Sequence, residues 1–232
     1  MSLDGTNLLA GLDPFTASAT AEVDKTTVAK LDGSTLVLEG ETSPSLHLVK
    51  RYTLDGARRS LLITYDLTNR GQQAQRAAVV ESQRFPAVGV AFYPSTHRRY
   101  PQSTLKLDET APVTWFSPGE NREERPLSAF ADGAEGWLAY AHEELVLIRT
   151  FADTQGERLT PDRGEIEIGV DYDVASRQHR SAELTVRGPY VEIAPAALTS
   201  WSVRWLLRRL PPSVAAKAGN QQLVGFVRGV IQ

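Results

Sequence analysis

The sequence predicts a single all-β domain of antiparallel sheets, followed by one helix at the C-terminal end. Along most of the chain, polar and apolar residues alternate with period two, which is typical of strands that bury one face. Turn signals separate roughly ten or more such segments, a spacing typical of a large sandwich and not of alternating strands and helices. The chain has 232 residues, so one large β domain spanning residues 1–232 accounts for its whole length.

The clearest pair of strands is a hairpin in the first third of the chain. Between residues 59 and 69, apolar side chains occupy every second position, beginning with Leu61 and Ile63. Residues 46–53 show the same alternation, and Asp55-Gly56 lies between the two segments. Asp-Gly is a strong turn signal, so we expect the two segments to pair as antiparallel strands.

The same alternation recurs along the chain and predicts the remaining strands. Those strands are placed around Leu36 and Leu38, from Val79 to Phe85, at 137–141 paired with 145–151, at 166–171, at 182–187, and at 201–207.

One helix is predicted, over about residues 213–231. Ser213 is of a type that caps helices, and Leu223, Val227 and Val230 recur at helical spacing. The charged stretch at 118–126 is predicted to be a loop that connects two β-rich halves of one domain.

Composition excludes several classes of partner and chemistry. The net charge of −3 and the pI near 5.9 argue against a general nucleic-acid binder. No apolar run approaches the roughly 18 residues that a membrane span requires, so no membrane partner is expected. The chain has no cysteine and its four histidines are scattered without ligand spacing, so the sequence indicates neither a metal nor another cofactor.

The cellular compartment and the oligomeric state stay open. Absence of cysteine is common in both cytoplasmic and periplasmic proteins. The opening Met1-Ser2-Leu3 resembles the remnant of an expression tag, which leaves a removed signal peptide compatible with the sequence. A periplasmic or secreted protein and a cytoplasmic one therefore both fit.

Polar residues on strand faces are the candidates for chemistry, because phosphate-binding glycine loops, nucleophile elbows and zinc-binding helices are missing from the sequence. Glu183 lies between Ala182 and Leu184, which would face the core, so its carboxylate is either a proton acceptor in a cleft or a solvated or salt-bridged strand residue. His142, followed by Glu143-Glu144, is either part of a proton relay or a polar turn.

Basic and aromatic residues supply candidates for ligand binding. Arg51 and Arg149 are predicted either to clamp an anionic ligand or to pair with the strand glutamates. The basic run His97–Tyr100 is either an anion site or a solvated loop. Trp201 and Trp205 are predicted to be core residues, which leaves Trp115 as the tryptophan to test as a platform for a sugar ring.

Two stretches of the sequence resemble galactose mutarotase-like proteins, a superfamily that includes aldose 1-epimerases. The strand Tyr65–Asn69 leads through a Gly-containing turn into Arg76–Phe85. In the superfamily, a Tyr-x-x-x-Asn strand leads in the same way into the strand that carries the catalytic histidine. The segments Gly188–Pro195 and Trp201–Trp205 are similar in style to the closing part of these proteins. The resemblance runs from about Leu36 to Leu207 and indicates a distant branch.

The resemblance implies a fold and a set of roles. The fold is a supersandwich of antiparallel sheets with a carbohydrate site on a concave face. By its place before the closing segment, Glu183 would be the general base that takes the anomeric proton. The superfamily's catalytic histidine is missing, and Glu81 or Gln83 occupies its neighbourhood instead. A glutamate acts as an acid only if its pKa is raised, so we hypothesise that Glu81 and Glu183 face each other across one cleft.

Three functions follow from these observations. The first is a carbohydrate-binding protein that takes a small, neutral or anionic sugar. The second is an enzyme of the aldose 1-epimerase type, which interconverts anomers by acid and base catalysis. The third is a structural or interaction domain that uses a sheet edge or the C-terminal helix. The missing histidine favours binding over catalysis.

Overall fold

The computed structural model describes residues 26–232, except for residues 44, 97, 99, 106, 111 and 121–123. The described residues form strands and one α-helix, α1 (Gln221–Ile231). In chain order the strands are β1 (Thr26–Asp32), β2 (Thr35–Ser43), β3 (Leu46–Asp55), β4 (Ser60–Asn69), β5 (Gln75–Ala77), β6 (Val80–Pro86), β7 (Val90–Pro94), β8 (Asp108–Thr110), β9 (Val113–Phe116), β10 (Leu127–Ala131), β11 (Trp137–His142), β12 (Leu145–Phe151), β13 (Ile166–Asp173), β14 (Gln178–Arg187), β15 (Val191–Ile193) and β16 (Leu198–Arg209).

The strands form a ten-stranded sheet, a four-stranded sheet and a two-stranded sheet, and all pairs are antiparallel. The large sheet has the order β1-β2-β3-β4-β16-β12-β11-β7-β9-β8, and the small sheet has the order β10-β13-β14-β6. The closing strand β16 lies between β4 and β12, so the C-terminal part of the sheet is joined to the N-terminal hairpin. The predicted antiparallel all-β fold is confirmed.

The first core fills the space between the large and the small sheet. It joins Ile63 and Trp201 of the large sheet to Ile166, Leu184 and Val186 of the small sheet. These residues recur at every second position of their strands, as the alternation in the sequence predicts. One face of the small sheet is therefore buried, and its other face points away from the large sheet.

The second core lies on the opposite face of the large sheet and is covered by α1. Leu223, Val224 and Val227 of the helix pack against Trp115, Trp137 and other residues of the central strands. The apolar stripe of the helix is therefore used inside the chain. An ion pair between Arg228 of α1 and Glu135, in the loop before β11, also holds the helix against the sheet.

The helix begins eight residues later than predicted, so the assignment of Ser213 as its cap is wrong. The side chain of Asn220 accepts a hydrogen bond from the backbone N–H of Gln222 at 3.0 Å and caps the helix. Gly219 precedes it with φ of +78°, a left-handed conformation that cannot continue a helix. Residues 211–219 instead form turns, one of them closed by the Val214 N–H bonding to the Pro211 carbonyl at 2.9 Å.

The predicted hairpin and the later strands are present close to their predicted bounds. β3 and β4 pair with Leu48 opposite Leu67, and β11 pairs with β12 as expected. Part of the charged stretch at 118–126 is a short 3₁₀ turn at Pro118–Glu120, and residues 121–123 lie outside the described part. Among the described residues, no helix has the length and apolar character that a bilayer span requires.

Candidate functional site

The outward face of the small sheet carries a dense set of polar side chains. β14 lies between β13 and β6, and its inward residues Ala182, Leu184 and Val186 are buried in the first core. Because side chains alternate across a strand, Glu183 and Thr185 project from the other face. The alternation that builds the core thus places this carboxylate at the surface.

An open groove of ≈330 Å³ lies on this outward face. The residues that define its chemistry are Arg84, Glu167, Gly169, Asp171, Glu183 and Thr185. They come from three neighbouring strands, β6, β13 and β14. The groove therefore combines carboxylates that accept hydrogen bonds with a guanidinium group that donates them.

A chain of hydroxyl groups orients the carboxylate of Glu183. The Ser82 hydroxyl donates to Glu183 Oε1 at 2.6 Å, and the Thr185 hydroxyl donates to Ser82 Oγ at 2.8 Å. An Arg84 nitrogen lies 3.6 Å from Glu183 Oε2. The side chain of Glu183 is 39% exposed, so the carboxylate is held in place and is still reached by solvent.

Gly169 lines the groove beside this carboxylate and brings no side chain into it. Gly169 lies directly opposite Glu183 in the pairing of β13 with β14. A Cβ atom at position 169 would lie 3.6 Å from the Cβ of Glu183, which is an ordinary contact distance. On the far side of the groove Glu167 is paired with Arg187, so that carboxylate is already engaged within the protein.

Glu81 lies on the opposite face of the same small sheet, inside the first core. It is completely buried, and it accepts hydrogen bonds from the Tyr65 hydroxyl at 2.6 Å and from the Trp205 indole N–H at 2.9 Å. An Arg149 nitrogen lies 3.6 Å from its carboxylate. Burial raises the pKa of Glu81, although the charge of Arg149 opposes the shift, and burial lowers the pKa of Arg149.

The hypothesis that Glu81 and Glu183 share a cleft is therefore wrong. In the pairing of β6 with β14, Glu183 lies opposite Arg84 and Glu81 lies opposite Val186. Residues that face each other across a pair of strands share a face, so Glu81 belongs with the buried Val186. A buried carboxylate with three partners fixes the two sheets against each other and does not contact a ligand in the groove.

Three further residues predicted to bind a ligand are held elsewhere. Gln83 is 3% exposed and points into the core beside Glu81, and Arg149 is 1% exposed and pairs with Glu81. Both side chains are enclosed by the sandwich and do not line the groove. Arg51 pairs with Asp66 on the face of the large sheet that points away from the small sheet. Arg149 thus pairs with a strand glutamate, which is the predicted alternative to ligand binding, whereas the partner of Arg51 is an aspartate.

The prediction of Trp115 as a sugar platform is wrong. Its side chain is 1% exposed and stacks on Phe92 at 4.8 Å in the second core. His142 lies at the turn between β11 and β12, 3.7 Å from a Glu143 oxygen, and is not among the residues of the groove. Of the predicted basic run, His97 and Arg99 lie outside the described residues, whereas Arg98 is described and exposed.

The sequence reasoning missed the residues that surround Glu183, namely Ser82, Arg84, Gly169 and Thr185. Alternation alone puts Thr185 on the same face of its strand as Glu183, and puts Glu167 and Asp171 on one face of theirs. Ser82 and Arg84 could not be assigned to the site without the pairing of β6 with β14, which brings them to the carboxylate. Nothing in the local alternation reveals which strand lies beside which.

Among the described residues, no group of three or more histidines or carboxylates is arranged to hold a metal ion.

Comparison with known proteins adds a family and a fold. Residues 11–208 match the family model described as "Domain of unknown function (DUF4380)". The chain belongs to the DUF4380 family. No curated protein matches the sequence.

Three solved structures share the architecture of this chain at low sequence identity. A candidate aldose 1-epimerase from Escherichia coli K12 has a TM-score of 0.53 at 12% identity, and covers 78% of this chain and 67% of its own. A galactose mutarotase-like protein from Lactobacillus casei ATCC 334 has a TM-score of 0.54 at 9% identity, with coverages of 78% and 72%. A candidate aldose 1-epimerase from Klebsiella pneumoniae has a TM-score of 0.52 at 12% identity, with coverages of 88% and 56%.

These likenesses show the fold of the DUF4380 chain, which is galactose mutarotase-like, as the sequence resemblance predicts. The chain spans 67% of the Escherichia coli structure and 56% of the Klebsiella pneumoniae structure. Activity does not follow from such distant likeness, because one fold hosts many functions.

Proposed function

We propose that this protein binds a small carbohydrate in the groove beside Glu183. The observation that supports the proposal is the pairing of an oriented, partly exposed carboxylate with the guanidinium of Arg84, at 3.6 Å, in a groove that Gly169 also lines. Sugar hydroxyls both donate and accept hydrogen bonds, so a neighbouring acceptor and donor can engage adjacent hydroxyls. The fold is shared with proteins named as aldose 1-epimerases and mutarotase-like proteins, which agrees with a sugar ligand.

The charges in the groove favour a neutral sugar over an anionic one. Glu167, Asp171 and Glu183 line the groove with Arg84, and Arg187 is engaged by Glu167. An anionic ligand would meet more carboxylates than guanidinium groups, and like charges repel. The anionic sugar considered from the sequence is therefore the less favoured ligand of this groove.

An epimerase is the second candidate, because Glu183 has the surroundings of a general base. Ser82 and Thr185 form a hydrogen-bonded support that fixes the carboxylate, as proton-transferring groups require. Anomer interconversion also needs an acid that gives a proton to the ring oxygen while the base takes the proton of the anomeric hydroxyl. Among the described residues of the groove, the remaining acids are Glu167 and Asp171, and Glu81 faces the other side of the sheet. Binding needs only the acceptor and the donor that the groove provides, so it is the better supported function.

Ligand-observed NMR with neutral sugars tests the proposal on the intact chain. A panel of glucose, galactose and their N-acetylamino derivatives is added to the wild-type protein and to Glu183→Gln and Gly169→Leu. We expect saturable binding of at least one sugar, weakened about 10-fold or more when the charged acceptor is lost. A leucine at position 169 places a bulky side chain in the groove and should block binding while it improves strand propensity.

Glu192→Gln is the matched control, because Glu192 is an exposed carboxylate on β15 and not part of the groove. Binding by the wild type and by Glu192→Gln, with loss in both groove variants, supports the site. Equal binding by all four proteins, or none by the wild type, refutes it. Exchange NMR between the α and β anomers separates the two candidates: acceleration that Glu183→Gln abolishes identifies an epimerase, and binding without acceleration identifies a binding protein.

A further inference from the structure

The two sides of the groove beside Glu183 carry opposite charges. In the small sheet Arg84 of β6 lies opposite Glu183 of β14, and Glu183 in turn lies opposite Gly169 of β13. Glu167 and Asp171 lie two positions to either side of Gly169 and line the groove with it. The guanidinium group is therefore on the β6 side of the groove, and two carboxylates are on the β13 side.

Gly169 lies at the centre of the three carboxylates that line the groove. It brings no side chain into the groove, and Glu183 lies directly across from it. Glu167 and Asp171 are its neighbours on the same face of β13. Diagonal neighbours on one face of an antiparallel pair are about 7–8 Å apart, within reach of long side chains. A ligand group placed over Gly169 would thus meet carboxylate oxygens on three sides.

These carboxylates suit an ammonium group better than a metal ion. Within the part of the chain that the structure describes, no three carboxylates or histidines are arranged to hold a metal. Ca²⁺ requires about six to eight oxygen ligands at once. An ammonium group has three donors and no acceptor, and its hydrogen bonds to carboxylates are stronger than those between neutral groups. Two of the three carboxylates, together with solvent, are enough to hold it.

The carboxylates keep hydrogen-bonding capacity although each of them has a partner within the protein. Glu167 pairs with Arg187, and Asp171 also interacts within the chain. A nitrogen of Arg84 lies 3.6 Å from Glu183. An ionised carboxylate accepts about four hydrogen bonds, so these contacts leave lone pairs for a ligand. Among the described residues that line the groove, three carboxylates stand against one guanidinium group, so acceptors of hydrogen bonds are in excess.

Arg84 adds a requirement for an acceptor at the other end of the ligand. Its side chain is 55% exposed, and a guanidinium group has donors only. A sugar hydroxyl can accept a hydrogen bond from it, whereas a second ammonium group would be repelled. The ligand that satisfies both sides of the groove carries an ammonium group and a hydroxyl group on neighbouring carbons, as a sugar with a free amine does.

We infer that the groove binds an amino sugar in its protonated form. The ammonium group lies over Gly169 between Asp171 and Glu183, and a neighbouring hydroxyl accepts a hydrogen bond from Arg84. This inference rests on the proposed carbohydrate function and names the class of sugar. It makes Asp171 a specificity-determining residue, since a neutral sugar has no positive charge for this carboxylate to bind.

Matched pairs of sugars test the inference on the intact chain. Ligand-observed NMR measures the binding of glucosamine against glucose, and of galactosamine against galactose, at about pH 6, where amines are protonated and carboxylates are ionised. We expect each amino sugar to bind about 10-fold more tightly than its neutral counterpart, because hydrogen bonds between charged groups are the stronger ones. At about pH 9 the amine loses its proton, and the preference should largely disappear.

Asp171→Asn isolates the carboxylate that is expected to make the distinction. The substitution keeps the shape of the side chain and one of its oxygens but removes the charge. It should weaken the binding of both amino sugars, while glucose and galactose bind as they do to the wild type. Glu192→Gln is the matched control, because it removes one negative charge at an exposed position outside the groove and should bind all four sugars like the wild type.

The outcomes separate this inference from the proposed function on which it rests. A preference for amino sugars that Asp171→Asn removes and Glu192→Gln keeps supports both. Equal affinities of the wild type for amino and neutral sugars overturn the inference and leave the carbohydrate function standing, whereas binding of none of the four sugars overturns both. Equal losses of amino-sugar binding in the two variants would reflect general attraction to a chain of net charge −3, and would also overturn the inference. Circular dichroism verifies that each variant is folded.

Discussion

Glu165 is a carboxyl group held out of solvent directly before β13. It is 1% exposed, and its Oε1 accepts a hydrogen bond from the Thr154 N–H at 2.8 Å. Among the described residues, its second oxygen has no hydrogen-bond partner. Burial is the main cause that raises its pKa to about 8, and the negative charges of Asp153 and Asp132 add to it, whereas the Thr154 amide acts in the opposite direction.

This raised pKa predicts a loss of stability as the pH rises. The folded chain binds the Glu165 proton more tightly than the unfolded chain, whose glutamate has the ordinary value of 4.5. Folding is therefore penalised progressively from about pH 4.5 to about pH 8, and the penalty is complete above that range. Each unit of displacement corresponds to about 1.4 kcal/mol, so the penalty is on the order of a few kcal/mol. Glu165→Gln keeps an acceptor for Thr154 and carries no charge.

Urea unfolding at about pH 5 and about pH 9 measures this effect. The wild type should lose more free energy of unfolding between the two conditions than Glu165→Gln does. Glu157→Gln, at an exposed position in the same connecting segment, should follow the wild type. Parallel losses in all three proteins would show that Glu165 is not the titrating group.

Single residues are also where the sequence was least informative. Glu81 and Glu183 both lie on strands with the right alternation, yet one is an interior partner of Tyr65 and the other lines a groove. Whether the two side chains share a face of the sheet depends on how β6 pairs with β14. These two strands lie about a hundred residues apart in the chain. Local pattern predicts that a side chain leaves the strand on one face, but the neighbour it meets there depends on register.

At the scale of elements, most strands were predictable because alternation reports a half-buried sheet directly. Trp137–His142 and Leu145–Phe151 pair as expected, since a short polar turn between two apolar runs leaves few other arrangements. The start of α1 was not predictable in the same way. Ser213 is followed by helix-forming residues, but the left-handed Gly219 and the capping Asn220 delay the helix.

The helix α1 is predicted to stabilise the fold through its buried side chains. Leu223 is fully buried in the second core, and removal of its side chain leaves a cavity under the helix. Leu223→Ala should therefore lower the free energy of unfolding by about 2–5 kcal/mol. Gln222→Ala changes an exposed neighbour on the same turn and should stay within about 0.5 kcal/mol of the wild type. Denaturant unfolding of the three proteins checks the difference, and equal stabilities would mean that α1 is not seated on the sheet.

At the scale of the whole molecule, the large sheet belongs to both cores. In β16, Trp201 and Val203 face the first core, whereas Leu206 faces the second. The buried contact between Arg149 and Glu81 connects the same sheet to the small sheet. The sequence predicted the fold class, but not this layering, because the pairs of β16 with β4 and β12 join residues far apart in the chain.

Shared strands predict that the two cores unfold together. A helix packed on an independent layer could open alone, but opening the second core here exposes one face of β11, β12 and β16, and the opposite face of the same strands holds the first core. Native-state hydrogen exchange measures this coupling residue by residue. Leu223→Ala, which damages the second core, should lower the protection of the slowest amides in β14 by the same factor as those in β16. If β14 keeps its wild-type protection while α1 and β16 lose theirs, the layers open separately, and the groove on the small sheet would rest on a stable unit of its own.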